Sequence, residues 1–166
     1  ENGFADLAYT VAAQETFPSW GYWIVNGETT LLENWPLDAK DASSHNHIMF
    51  GEIGAWFYKA LAGINPDVGH PGFKNIILSP HFVHGLDQFE GTHDGPYGTI
   101  VSSWQRKNGV VDYKVVVPAN STATLQLPKV EGKKVSLKGK NFNERILLKE
   151  TSGLQLKAGT YEFTWI

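Results

Sequence analysis

At 166 residues, 42% hydrophobic and 13% aromatic, the chain holds enough apolar material for one ordinary packed domain or two small ones. Fourteen basic against seventeen acidic side chains leave a formal charge of -3, which offers no basic excess to a nucleic-acid partner. No apolar run approaches the roughly 20 residues needed to cross a bilayer, so no membrane partner is expected, and the lack of cysteine excludes disulfides, thiolate nucleophiles and Cys-ligated zinc.

The opening stretch from Asn2 to Gln14 places Phe4, Leu7, Ala8, Val11 and Ala12 at helical intervals and predicts an amphipathic helix. The sequence does not start with methionine and its one methionine is Met49, which reads as a segment of something longer. Between Phe17 and Trp35 the helical period is broken by Pro18, Gly21 and Asn26-Gly27. An Asn-Gly pair between apolar runs predicts a hairpin, with Tyr22 to Val25 facing Thr29 to Leu32. Ser43 or Ser44 can cap a second helix that runs through Phe50, Ile53, Trp56, Phe57, Ala60 and Leu61 and stops at Gly63. Its apolar residues cover most of its circumference, so it needs more neighbours than the first helix supplies. That too is the expectation for a piece of a larger helical body.

The composition changes near Pro66. Residues 1–66 hold eight acids and two bases, a balance of -6, and residues 67–166 hold nine and twelve, a balance of +3. Four of the six tryptophans, Trp20, Trp23, Trp35 and Trp56, fall in the first part. The second part consists of short β-branched runs with turn residues between them: Lys74 to Leu78, Leu86 to Glu90, Gly98 to Gln105, Val110 to Val117, Thr122 to Leu127, Lys134 to Lys138, Arg145 to Lys149 and Thr160 to Trp165. Such spacing predicts an antiparallel β-sandwich. Lys107-Asn108-Gly109-Val110 reads as a hairpin turn, after which Tyr113, Val115 and Val117 alternate with Asp112, Lys114 and Val116, one face inward and the other wet. By content the chain is α+β, divided at 1–66 and 67–166.

The densest chemistry lies in Pro18-Ser19-Trp20-Gly21-Tyr22-Trp23, Thr29-Thr30-Leu31-Leu32-Glu33-Asn34-Trp35 and Ser44-His45-Asn46-His47. Flat rings that stack on the C–H faces of a sugar, with fixed polar groups for its hydroxyls, are what a carbohydrate site requires. Here a carboxylate, Glu33, follows two leucines and stands two residues before Trp35, and it can accept a proton from water. The same residues have a plainer reading, in which the tryptophans are core, Glu33 is a solvated loop acid and His47 packs at a helix start.

Other constellations carry less. His45-x-His47 and His81-x-x-His84 are not joined by the further ligands that zinc needs, and Asp38 and Asp41 around Lys40 lack the pattern of a calcium loop, so no metal is expected. Gly91 to Gly98 is glycine-rich without the Gly-Lys-Ser/Thr of a phosphate cradle and reads as a tight connection between strands. Lys129, Lys133, Lys134, Lys138 and Lys140 read as a solvated face that keeps sheet edges from pairing.

The order Pro18-Ser-Trp-Gly-Tyr, Thr29-Thr30 to Glu33-x-Trp35, Ser44-x-Asn46-His47-x-x-Phe50-Gly51 and Trp56-Phe57-Tyr58 resembles the C-terminal end of bacterial α-L-rhamnosidases of glycoside hydrolase family 78. The resemblance implies the last helices of an (α/α)6 barrel over residues 1–66 and a C-terminal β-sandwich over 67–166. It implies an inverting glycosidase without cofactor, acting on rhamnose-containing carbohydrate, with Glu33 as general base and the general acid in earlier barrel sequence. It further implies His47 and Asn46 as sugar contacts, with Trp35 or Trp20 walling the pocket. Leu32 and Asn34 depart from the family, where many relatives carry Trp before the base and a basic residue after it. The alternative is a non-catalytic carbohydrate-binding or structural sandwich with docking helices, its sugar held by aromatics such as Trp104 or Tyr97. Helices lifted from a barrel would also leave apolar faces open to self-association.

Overall fold

The computed structural model describes residues 3–38, 44–127, 135–139 and 153–165. The chain separates into two compact units, Glu1–Phe57 and Tyr58–Ile166.

In the first unit the predicted opening helix is present as α1, Ala5–Ala13. Ala12 is buried on it, whereas Phe4, Leu7 and Val11 of the predicted stripe are 69%, 61% and 46% exposed. The predicted hairpin is not formed. Tyr22 to Val25 lie instead in a helix, α2, Trp20–Val25. Ser19 decides this at the front: its side chain accepts the Tyr22 N–H at 2.9 Å, and its own hydrogen is directed at the carbonyls of Gln14 and Thr16. Asn26-Gly27 decides it at the back. Gly27 takes φ 90°, its N–H donates to the Ile24 carbonyl at 3.0 Å, and the Glu28 N–H donates to Trp23 at 3.0 Å, the paired bonds of a Schellman stop. Gly21 lets α2 approach α1, because a Cβ there would lie 2.4 Å from the Gln14 carbonyl oxygen.

The second predicted helix is shorter than its apolar run. It begins as α3, Glu52–Trp56, and continues as a π-helical turn, Phe57–Leu61. Ser44 caps no helix; its amide and that of His47 are spent on bonds to Glu33 and Leu31.

Among the described residues the second unit holds nine strands: β1 Ile64–Pro66, β2 Asn75–Leu78, β3 Gln88–Gly95, β4 Gly98–Lys107, β5 Val110–Val117, β6 Thr122–Leu125, β7 Val135–Gly139, β8 Leu154–Leu156 and β9 Gly159–Trp165. They form two sheets, β1-β2-β6-β8 and β3-β4-β5-β9-β7. Among the described residues the pairings are antiparallel, as the sandwich expectation has it, except β2 with β6, which is parallel. The cause is the crossover: β3 to β5 are laid in the other sheet before β6 returns beside β2. Strands β1 and β8 were too short to be read from the sequence, and β1 tolerates Pro66 because it is an edge strand. The predicted strand Arg145 to Lys149, with Lys129, Lys133, Lys134 and Lys140, lies outside the described residues.

The glycine-rich segment is less of a connection than its composition suggests. Gly91 to Gly95 belong to β3, and the turn is confined to Pro96-Tyr97. A Cβ on Gly91 would come 2.5 Å from the Ala62 side chain, so only glycine lets the strand pass. Between the sheets, Ile76, Leu78, Ala123, Leu125 and Leu156 meet Ile100, Trp104, Tyr113, Val115, Val117 and Phe163 in one core. The predicted alternation of β5 is realised, with Tyr113, Val115 and Val117 buried and Asp112 and Lys114 exposed.

Candidate active site

After α2 the chain turns at Gly27 and enters the segment Thr30 to Glu33, which lies alongside Ser44 to His47. The Glu33 N–H donates to the Ser44 carbonyl at 2.9 Å, and the Ser44 N–H returns a bond of 2.9 Å to Glu33 Oε2. The His47 N–H donates to the Leu31 carbonyl at 2.9 Å, and the Thr30 hydroxyl donates to the His45 carbonyl. Leu32, the residue before Glu33, is buried.

Glu33 is half-buried, with one carboxylate oxygen held by a main-chain amide. The second oxygen, Oε1, keeps lone pairs for a further donor such as water. His47 is half-buried, and its Nδ1 accepts the Met49 N–H at 3.0 Å. An amide can only donate, so Nδ1 carries no hydrogen there and the neutral ring presents Nε2–H as a donor. Among the described residues no hydrogen bond joins the Glu33 carboxylate to the His47 ring; the two are linked through the paired main chains that carry them. Asn46 is exposed, and its main-chain N–H donates to Ser44 Oγ at 3.1 Å, which tightens the turn before His47.

Trp20, Trp23 and Trp35 form a cluster. Trp35 lies 4.7 Å from Trp23, 5.2 Å from Trp20 and 4.2 Å from Phe50, centroid to centroid. The Trp23 indole donates to the Trp35 carbonyl at 2.9 Å, and the Trp20 indole donates to the Phe50 carbonyl at 3.2 Å. Trp23 is core, while Trp20 and Trp35 are half-buried. The structure therefore brings Trp20 and Trp35 into ring contact and ties Trp20 to Phe50, three residues after His47.

Two contacts of the site are not readable from the sequence. Ser44 acts on Glu33 through its amide, which no residue type announces. Glu28 contacts His45 Nδ1 at 3.4 Å, so the two histidines of His45-x-His47 face different partners. Among the described residues, no group of three His, Asp or Glu side chains converges as a metal site would. Of the aromatics considered for a binding module, Trp104 is 1% exposed and belongs to the sandwich core, a correction imposed by its place on the inner face of β4. Tyr97 is exposed, with Lys74 over its ring at 4.9 Å.

Residues 1–61 match the bacterial alpha-L-rhamnosidase six-hairpin glycosidase domain, and residues 63–142 match the bacterial alpha-L-rhamnosidase C-terminal domain. An alpha-L-rhamnosidase of Formosa agariphila is 35% identical over 98% of this chain and 19% of its own length. A solved alpha-L-rhamnosidase from Dictyoglumus thermophilum superposes with a TM-score of 0.82 at 33% identity, over 98% of this chain and 19% of that one. A second, from Streptomyces avermitilis in complex with L-rhamnose, gives 0.81 at 29% identity, over 98% of this chain and 16% of that one. The chain thus spans about a fifth of the length of the relatives it matches. A helical unit matched by the glycosidase domain, followed by a sandwich matched by the C-terminal domain, places the chain in the bacterial alpha-L-rhamnosidase family.

Proposed function

We propose that this chain forms part of an inverting glycoside hydrolase that removes terminal α-L-rhamnose from glycosides or polysaccharides, with Glu33 as the general base. One observation carries the assignment: the Ser44 amide immobilises one oxygen of Glu33 and leaves the other for a water molecule. Inversion uses two carboxyl groups roughly 6.5–9.5 Å apart, one protonating the leaving oxygen and one deprotonating water on the opposite face of the ring. Glu33 takes the second part, and the acid comes from barrel sequence outside these 166 residues. His47 donates from Nε2 to a sugar oxygen, Asn46 offers an exposed amide beside it, and Trp35 and Trp20 supply the apolar wall.

The glycosidase-domain match over residues 1–61 supports this reading, as does the rhamnose complex of the Streptomyces avermitilis relative. The test is Glu33→Gln in the full-length protein. Turnover of an aryl α-L-rhamnoside should fall by at least about a hundredfold with rhamnose binding retained, since base catalysis supplies roughly 10²–10⁴-fold. Near-parental turnover would remove Glu33 from the mechanism. The 166-residue chain alone should hydrolyse nothing, because it carries half of the acid–base pair.

A further inference from the structure

We infer that Thr30 is a positioning residue for Glu33 and His47. The segments that carry these two side chains are closed on one another by four hydrogen bonds. Two run between main-chain groups and a third holds the Glu33 carboxylate itself. The fourth, from the Thr30 hydroxyl to the His45 carbonyl, is the one made by a side chain with no part in the chemistry.

Its acceptor lies between the two functional groups along the chain. Ser44, whose amide grips Glu33, directly precedes His45, and His47 follows two residues later. Anchoring the His45 carbonyl therefore sets where the Ser44 amide points and where the His47 ring starts. Glu28 contacts the same residue through His45 Nδ1 at 3.4 Å. Both contacts originate in the stretch between the Gly27 stop and Glu33, so they tie the Ser44–His47 segment to the chain that α2 orients.

This inference rests on the general-base reading of Glu33, and the experiment separates the two. Thr30→Val keeps the branched shape and removes the donor, while Thr30→Ser keeps the donor and removes the methyl. In the full-length protein, Thr30→Val should lower kcat on an aryl rhamnoside roughly tenfold, with KM within about threefold. A displacement of about 1 Å in a catalytic group can cost as much as 10²-fold. Thr30→Ser should restore kcat to within about threefold of the parent. Thr30→Ala, which introduces no branched replacement, is read in the same way should the valine variant not fold. Parental kcat in both donor-less variants overturns the positioning role, as does a serine variant no better than they are. If Glu33→Gln keeps its turnover, the base assignment has failed and the Thr30 proposal falls with it. If Glu33→Gln is inactive while Thr30→Val and Thr30→Ala keep the parental kcat, only the Thr30 proposal fails.

Discussion

The indole N–H of Trp104, on the inner face of β4, donates to the carbonyl of Leu61 at 2.9 Å. One strand position away on the same face, the Ser102 hydroxyl donates to the carbonyl of Ala62 at 2.5 Å and meets the Tyr113 hydroxyl at 2.9 Å. The carbonyls at the end of a helical turn have no partner within the helix, and here two of them are satisfied from inside the sandwich core. Gly63, at φ 69°, then turns the chain where a Cβ would strike the Pro80 backbone at 2.2 Å. The sandwich thereby grips the turn that leads into it.

Trp104→Phe tests this grip. The ring volume is largely kept, and the Leu61 carbonyl stays buried without its donor, a loss of about 1–3 kcal/mol. Denaturant unfolding followed by far-ultraviolet circular dichroism should show a lower midpoint with an unchanged slope. A midpoint equal to the parent's would mean that the Leu61 carbonyl finds another donor.

Gly21→Ala should be more damaging than its small size suggests. The added carbon would sit 2.4 Å from the Gln14 carbonyl oxygen, a backbone atom that cannot swing aside, and overpacking of this kind costs about 1–3 kcal/mol. Because α2 carries Trp20 and Trp23, the near-ultraviolet dichroism of the tryptophan cluster reports the loss directly. An unaltered spectrum would show that α1 and α2 slide apart without strain.

The sequence was legible where one local signal acted alone. Asn108-Gly109 takes positive φ at both residues, 51° and 78°, and makes the hairpin between β4 and β5 that its flanking period-two pattern requires. Asn26-Gly27 is the same dipeptide, yet Asn26 has φ -93° and the pair closes a helix. The difference comes from Ser19, whose cap on Tyr22 starts a helix seven residues before Asn26, and from the burial of Trp23 against Trp35 and Phe50. That burial is a tertiary fact with no local signature. Glu33 and His47 enter as candidates through the resemblance of their motifs to the α-L-rhamnosidases, whereas the donor that holds Glu33 is a main-chain amide, invisible to residue type. Helix α1 was legible as a helix, while the destination of its apolar stripe was not.

Stability at acid pH should depend on Asp67. Its carboxylate accepts Asn75 Nδ2 at 2.8 Å, His70 Nδ1 at 2.7 Å and the Gly69 N–H at 2.9 Å, and these bonds, Asn75 first, hold its pKa below the ordinary 3.8. A depressed folded value means that the contribution is complete above 3.8 and disappears as pH falls through the folded pKa. Asp67→Asn should therefore lower the unfolding midpoint near neutral pH and flatten its decline below pH 3.8. An acid profile parallel to the parent's would exclude Asp67 as a contributor.

The open stripe on α1 should make the 166-residue chain associate with itself. Phe4, Leu7 and Val11 are spaced by three and four residues, which lines them along one face, and each is substantially exposed. Contiguous apolar surface of this kind is uncommon on soluble monomers and is removed from water by whatever packs on it. In the isolated chain the available cover is a second copy, so sedimentation velocity should show association that grows with concentration. Leu7→Lys places a charge in the centre of the stripe and should shift the distribution to monomer while leaving helix content unchanged, because lysine and leucine have similar helix propensity. A parent that stays monomeric across the concentration series would show that this face is content in water. A Leu7→Lys variant that still associates would move the contact elsewhere on the helical unit.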